Sequence, residues 1–238
     1  MHDTAMEFGR LFFETYAKEA RGKSIVDIGA QDINGSLRSV APPGCKYIGV
    51  DFATGKGVDV VITDPYSLPF KDNSVDFCVS SSCFEHSEFF WLLFNEIMRI
   101  LSPNGILYIN VPSNGNVHRY PVDCWRFYPD SGVALQNWGR RSGYKTVLLE
   151  SFTGKQKRDC WNDFISVFLK DERYTQNYSG RMRESARGHT DGLVNGSLAL
   201  SNPSVLQEDQ KSHLSRIIYR KDLMLRILKA KNGRLIGH

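Results

Sequence analysis

The feature that most constrains this chain is a train of five short apolar runs, three of which close on glycine, aspartate or serine. They are Ser24-Ile-Val-Asp-Ile-Gly29, Lys46-Tyr-Ile-Gly-Val-Asp51, Val58-Asp-Val-Val-Ile62, Val75-Asp-Phe-Cys-Val-Ser80 and Ile106-Leu-Tyr-Ile-Asn-Val111. Each is too short for a buried helix and apolar enough for a strand covered on both faces. Helical periodicity flanks them. Phe8, Leu11, Phe12 and Tyr16 recur within residues 4–20, and Phe90, Leu93, Phe94, Ile97 and Leu101 do so after a capping Ser87, before a turn at Pro103-Asn104-Gly105. Two further strands are expected at 145–150 and 163–169. The pattern predicts an α/β fold, a doubly wound, mostly parallel seven-stranded sheet with helices on both faces.

With 238 residues, 41% hydrophobic and 24% charged, the chain has enough apolar material for one sizeable core and is not broadly disordered. Residues 1–170 are expected to form the ligand-binding domain. Residues 171–204, rich in Arg, Ser, Gly and Asn, read as a mobile loop or linker. Residues 205–238 read as a basic amphipathic helical tail, with the helix over 205–231. Eight Lys and Arg face three acids between 203 and 238, whereas the whole chain carries only +4. The body is therefore not a nucleic-acid surface by charge. In the tail Leu214, Ile217, Ile218, Met224, Leu225 and Leu228 share one side, interrupted by Lys221. Such a helix packs on its own domain, on a second copy in a homo-oligomer, on a partner enzyme, or on an anionic membrane; a protein contact is the expectation. Five cysteines without a CxxC pair argue against a disulfide framework or structural zinc. Neither a signal peptide nor a transmembrane run is visible, so the expected location is cytoplasmic.

In a doubly wound sheet, ligands bind beyond the carboxyl ends of the strands. A dinucleotide fingerprint fails here, because its second and third glycine positions are Gln31 and Asn34. Asp51 nevertheless follows Gly29 by 22 residues, the separation at which a carboxylate meets a ribose diol. A ribose-bearing ligand without pyrophosphate satisfies both facts, and S-adenosylmethionine is the commonest such cofactor.

Val26-Asp-Ile-Gly29, Tyr47-Ile-Gly-Val-Asp51, Thr63-Asp64 with Leu68-Pro-Phe-Lys-Asp-Asn-Ser-Val-Asp76, Phe84-Glu-His86 and Leu101-Ser-Pro-Asn-Gly105 occur in order. Together, over roughly residues 20–170, they resemble the class I S-adenosylmethionine-dependent methyltransferases. The departure is Gln31 in the first loop. The segment His118-Arg-Tyr-Pro-Val-Asp-Cys-Trp-Arg-Phe-Tyr-Pro129 resembles methyltransferases associated with bacterial surface-polysaccharide synthesis. The resemblance implies that Asp27 holds the cofactor's ammonium and Gly29 admits its methionine portion. It implies that Asp51 accepts from the ribose and Phe52 flanks the adenine. Asp64 would accept from the adenine amino group, with Tyr66 or Leu68 against the ring, and Ser80 and Ser81 would lie near the sulfonium. Asp76 reads as a structural residue at a strand start.

Methyl transfer to a hydroxyl needs a base, and histidine suits neutral pH. His86 and His118 are the candidates. Each is equally open to a structural reading, with the Glu85-His86 pair buttressing the cofactor loop. Asp123 and Arg126 could bind acceptor hydroxyls and Tyr120 and Trp125 could stack on a sugar, or Trp125 and Phe127 simply pack the loop. No His–carboxylate cluster is visible, so no metal is expected. The function expected is O-methylation of a sugar hydroxyl in a polysaccharide or its precursor. The alternatives are another small molecule, a protein nitrogen, or a non-catalytic binding partner.

Overall fold

The computed structural model describes residues 3–157, 161–204 and 216–225. The chain divides into two units, Met1–Asn202 and Pro203–His238. In the first, α1 (Asp3–Tyr16) precedes β1 (Ser24–Ile28), β2 (Lys46–Asp51), β3 (Val60–Val61) and β4 (Val75–Ser81). Then come α2 (Phe90–Ile100), β5 (Leu101–Pro112), α3 (Pro129–Arg141), β6 (Val147–Thr153), β7 (Asp163–Leu169) and β8 (Thr190–Val194). The strands make one sheet in the order β3-β2-β1-β4-β5-β7-β6-β8.

Period-two alternation on these strands builds two cores. On β4, Phe77 and Val79 belong to one and Cys78 to the other; on β5, Tyr108 is separated in the same way from Leu107 and Ile109. Phe8, Phe12 and Tyr16 of α1 join the first core, while Leu93, Phe94 and Ile97 of α2 and Leu135 of α3 join the second. Helices thus cover both faces, which is why the strands read as continuous apolar runs. Asp76 is structural, accepting from the Ser24 amide (2.9 Å) and hydroxyl (3.0 Å) to register β1 against β4.

Several expectations are corrected. The sheet has eight strands among the described residues, not seven. It is mixed, because β7 runs antiparallel to β5 and β6, and β8 antiparallel to β6. The regular alternation is incomplete as well. Only a 3-10 turn, Leu37–Val40, lies between β1 and β2, and no helix lies between β2 and β4. Ser87 does not cap α2, whose N-cap is Phe89 without a side-chain bond. The turn at 103–105 is absorbed into β5 as an irregularity, since Val75 pairs with Leu101 but Phe77 with Ile106.

The segment 171–204, expected as a loop or linker, adds two 3-10 turns and β8 to the sheet. A buried acid organises it. Glu150 on β6 accepts from the amides of Met182 (2.7 Å) and Arg183 (3.0 Å), and Arg181 donates to the Leu149 carbonyl and to Asn195. A buried carboxylate needs such donors, and they pin the chain that supplies them. In the second unit residues 216–225 are helical and exposed; the rest of the expected tail helix lies outside the described residues. No helix among the described residues is long and apolar enough to cross a membrane.

Candidate functional site

The strand order reverses between β1 and β4, and a cavity of about 550 Å³ opens there beyond the strand ends. One wall follows β1 and β2. Gly29 has φ 81°. A Cβ at this position would stand 2.7 Å from Cys83 Cβ and 2.8 Å from its sulfur, so only glycine lets the two loops pass. Asp51 is buried, and its carboxylate accepts from the amides of Gln31 (3.1 Å) and Ala53 (3.2 Å), tying the β1 and β2 loops together. Gln31 sends its side-chain amide to the Thr54 carbonyl, into space left by Gly55, which is how the loop does without a second glycine. Asp27 is buried with the Tyr47 hydroxyl donating to it (2.7 Å), and burial pushes its carboxyl up to about 7. A second, more apolar cavity of about 310 Å³ adjoins, lined by Ile28, Val50, Ile62, Tyr66 and Leu93. Phe52, 60% exposed, borders both.

The other wall follows β4 and β5. Ser82, with φ 54°, turns the chain at the end of β4 into Glu85 and His86. The Glu85 carbonyl accepts from the amides of Cys124 (2.8 Å) and Trp125 (3.1 Å), drawing the long β5–α3 connection over it. His118 from that connection thereby reaches the same place. Its Nε2 lies 4.0 Å from Glu85 Oε1, and His86 Nε2 lies 3.6 Å from the same oxygen. Burial pushes Glu85 up to about 8 and pulls His86 below its ordinary value. Glu85, His86 and His118 form a possible metal-ligand cluster, their donor atoms within 4.8 Å of one another. The expectation that no such cluster exists is overturned. It was invisible in the sequence because a 31-residue connection separates the two histidines.

Asp27, Gly29, Asp51, Phe52, Ser81, His86, His118 and Tyr120 line the main cavity, and the structure brings these candidates together. Five others line neither cavity. Asp64 is exposed, its carboxylate accepting from the Tyr66 amide (2.8 Å) in a local turn. Ser80 is fully buried, donating to the Ile28 carbonyl. Asp123 accepts from the His118 amide (2.7 Å) and from both terminal nitrogens of Arg126 (2.6 and 2.7 Å), which hold it at about 2. Asp123 and Arg126 therefore brace His118 and are not on the cavity wall. Trp125 donates to the Ser87 carbonyl and packs edge-on against Phe90, the packing role. Residues not singled out also line the cavity, notably Trp161, whose ring centroid is 4.8 Å from that of His118. Nothing in its local sequence marked it, because it arrives from the β6–β7 connection.

Residues 27–109 match the family described as Methyltransferase domain. Over 119 residues the chain is 29% identical to an uncharacterized methyltransferase of Mycobacterium tuberculosis (strain ATCC 25177 / H37Ra), covering 45% of this chain and 46% of that protein. The chain spans about half the length of such relatives. Among solved structures, Burkholderia thailandensis 1,6-didemethyltoxoflavin-N1-methyltransferase with bound 1,6-didemethyltoxoflavin and S-adenosylhomocysteine is similar at a TM-score of 0.57. It is 14% identical, covering 71% of this chain and 80% of that one. The [4+2]-cyclase SpnF is similar at 0.52 and 14% identity, covering 70% and 81%. At these identities the likeness is one of fold. The class is thus that of an α/β fold, with residues 27–109 similar to the Methyltransferase domain family.

Proposed function

We propose that the chain is an S-adenosylmethionine-dependent methyltransferase acting on a sugar hydroxyl, in a polysaccharide or its precursor. The observation that carries this reading is that one cavity is lined both by the Gly29 and Asp51 loops and by Glu85, His86 and His118.

The residues fit the cofactor. Gly29 lets the β1 loop pass against Cys83 at the cavity edge, and Asp27 accepts from the Tyr47 hydroxyl with lone pairs left for an ammonium. Asp51 keeps lone pairs beyond the two amides it accepts from, enough for a ribose diol. The apolar second cavity suits a flat adenine ring beside Phe52 and Tyr66. Bound S-adenosylmethionine supplies a methyl group already activated by its sulfonium. The chain's own task is then to align the acceptor and handle its proton. His118, 30% exposed at its side chain, presents Nε2 to the cavity with Glu85 behind it. Tyr120 and Trp161 offer aromatic faces to a sugar ring. A group that handles a proton is what a hydroxyl acceptor requires and a neutral amine does not, which favours oxygen over nitrogen. The polysaccharide assignment rests on the likeness of residues 118–129.

The test is transfer of labelled methyl from S-adenosylmethionine to a panel of nucleotide sugars and oligosaccharides. A base-stable methyl ether on a sugar is expected. Label only on amines would overturn the acceptor class. No transfer to any acceptor by a chain that binds the cofactor would favour a binding partner, or chemistry of another kind on this fold, as the name of the SpnF cyclase illustrates.

A further inference from the structure

We propose that Glu85, His86 and His118 are the ligands of one divalent transition-metal ion, held at the cavity wall with its remaining positions open to the acceptor. The donor set is two imidazoles and one carboxylate, which suits ions such as Zn²⁺, Fe²⁺, Mn²⁺ or Co²⁺ and leaves room for exogenous oxygen ligands.

The geometry selects the metal-binding nitrogen of each ring. His86 Nδ1 faces the Val122 carbonyl, which can only accept, so Nδ1 carries the proton and Nε2 is left with a lone pair toward Glu85. His118 Nδ1 lies 3.4 Å from Asp123 Oδ2. Arg126 Nη2 also lies 3.5 Å from this nitrogen, but its two protons go to Asp123 Oδ2 (2.7 Å) and the Asn116 carbonyl (2.9 Å). The acceptor facing His118 Nδ1 is therefore the Asp123 carboxylate, at ion-pair rather than hydrogen-bond distance, which favours the proton on Nδ1 and the lone pair on Nε2. A carboxylate or carbonyl behind each ring is the outer support that metal-bound histidines use.

Glu85 supplies an independent observation. Its side chain is fully buried, and neither oxygen has a hydrogen-bond partner. The two imidazole nitrogens at 3.6 and 4.0 Å are too distant to donate. A buried carboxylate in that state is costly, and a cation between it and the two Nε2 atoms removes the cost. Bonds of about 2.0–2.2 Å put ligand atoms roughly 3–3.6 Å apart, so the three groups need to close by only about 1 Å. The surrounding charge agrees. Asp123 and Asp163 add negative charge around Glu85, and the Arg126 guanidinium near it is paired with Asp123. With the ion bound, His118 Nε2 is a ligand and no longer a base, and the ion itself would take over the proton's handling by lowering the pKa of a hydroxyl or water bound to it. That role toward the acceptor rests on the methyltransferase reading; the binding of the ion does not.

The experiment titrates the full chain, first dialysed against chelator, with Co²⁺, followed by visible ligand-field absorption and by competition with Zn²⁺. One Co²⁺ per chain, displaced by one Zn²⁺, is expected. Asp123→Asn should weaken binding by about 10–100-fold, as outer-shell changes do, and Glu85→Gln and His118→Gln should each weaken it by more. Near-ultraviolet circular dichroism and S-adenosylhomocysteine titration on the same samples check folding. A wild-type chain showing only the aqueous Co²⁺ spectrum overturns the site. So does wild-type affinity in a folded Glu85→Gln/His118→Gln double variant. Cofactor binding without Co²⁺ binding removes the metal and leaves the methyltransferase reading; Co²⁺ binding without cofactor binding does the reverse.

Discussion

The wall of the cavity after β1 and β2 is held by backbone, whereas the wall after β4 and β5 is held by side chains that come from distant parts of the chain. In the first, a positive φ at Gly29 and two amides on Asp51 fix the loops within a short span. In the second, His118 reaches Glu85 only because Asp123, Arg126 and the Glu85 carbonyl fold a long connection back over the strand ends. Backbone constraints make a general cradle for a cofactor. Side-chain constraints can be rebuilt for each acceptor without disturbing it.

If the division of labour is real, the largest effect comes from the second wall and stays there. His118→Ala should lower turnover by about 10²–10⁴-fold while leaving cofactor affinity unchanged, as initial rates and calorimetry would show. A parallel loss of cofactor affinity would mean the walls are not separable. Gly29→Ala strikes the first wall. The strained φ and the contact with Cys83 should cost about 1–3 kcal/mol of stability and depress cofactor binding, read from denaturant unfolding with and without ligand. Wild-type stability and affinity would show that the loop has another route past Cys83.

A smaller effect is one of pH. Because burial raises Asp27 to about 7, the group is neutral below that pH and charged above it. An ammonium is held by the charged form, so cofactor affinity should be full above pH 7. It should fall about tenfold per pH unit as pH drops through that value. Asp27→Asn should flatten the profile; an unaltered slope would move the ammonium elsewhere. Smallest is Asp64→Asn. Its carboxylate is engaged with the Tyr66 amide outside both cavities, and the amide oxygen of Asn accepts equally well. Calorimetry should find cofactor affinity unchanged, and a marked loss would put Asp64 back against the adenine.

The same contrast governs what the sequence discloses. Gly29 and Asp51 are legible because their roles depend on local spacing after apolar runs, and β1, β2, β4 and β7 follow from those short, continuous apolar runs themselves. Asp64 is picked out by the same logic, but spacing cannot show that it sits in an exposed local turn, accepting from the Tyr66 amide, outside both cavities. The Glu85–His86–His118 cluster, Trp161 and β8 are not legible. Each depends on pairing between remote segments, and β8 is disguised by Thr190, Asp191 and Gly192, which carry no apolar alternation. Its order comes from Glu150, a buried acid on another strand.

The central claim is that the backbone-held wall binds S-adenosylmethionine through the Asp51 carboxylate. Calorimetric titration of the wild-type chain and of folded Asp51→Ala with S-adenosylmethionine, S-adenosylhomocysteine and NAD tests it directly. The account predicts that the wild type binds the first two and not NAD. It also predicts that the variant loses about 1.5–3 kcal/mol for each ribose hydrogen bond removed. Unchanged affinity in the variant, or preference for NAD in the wild type, would contradict it.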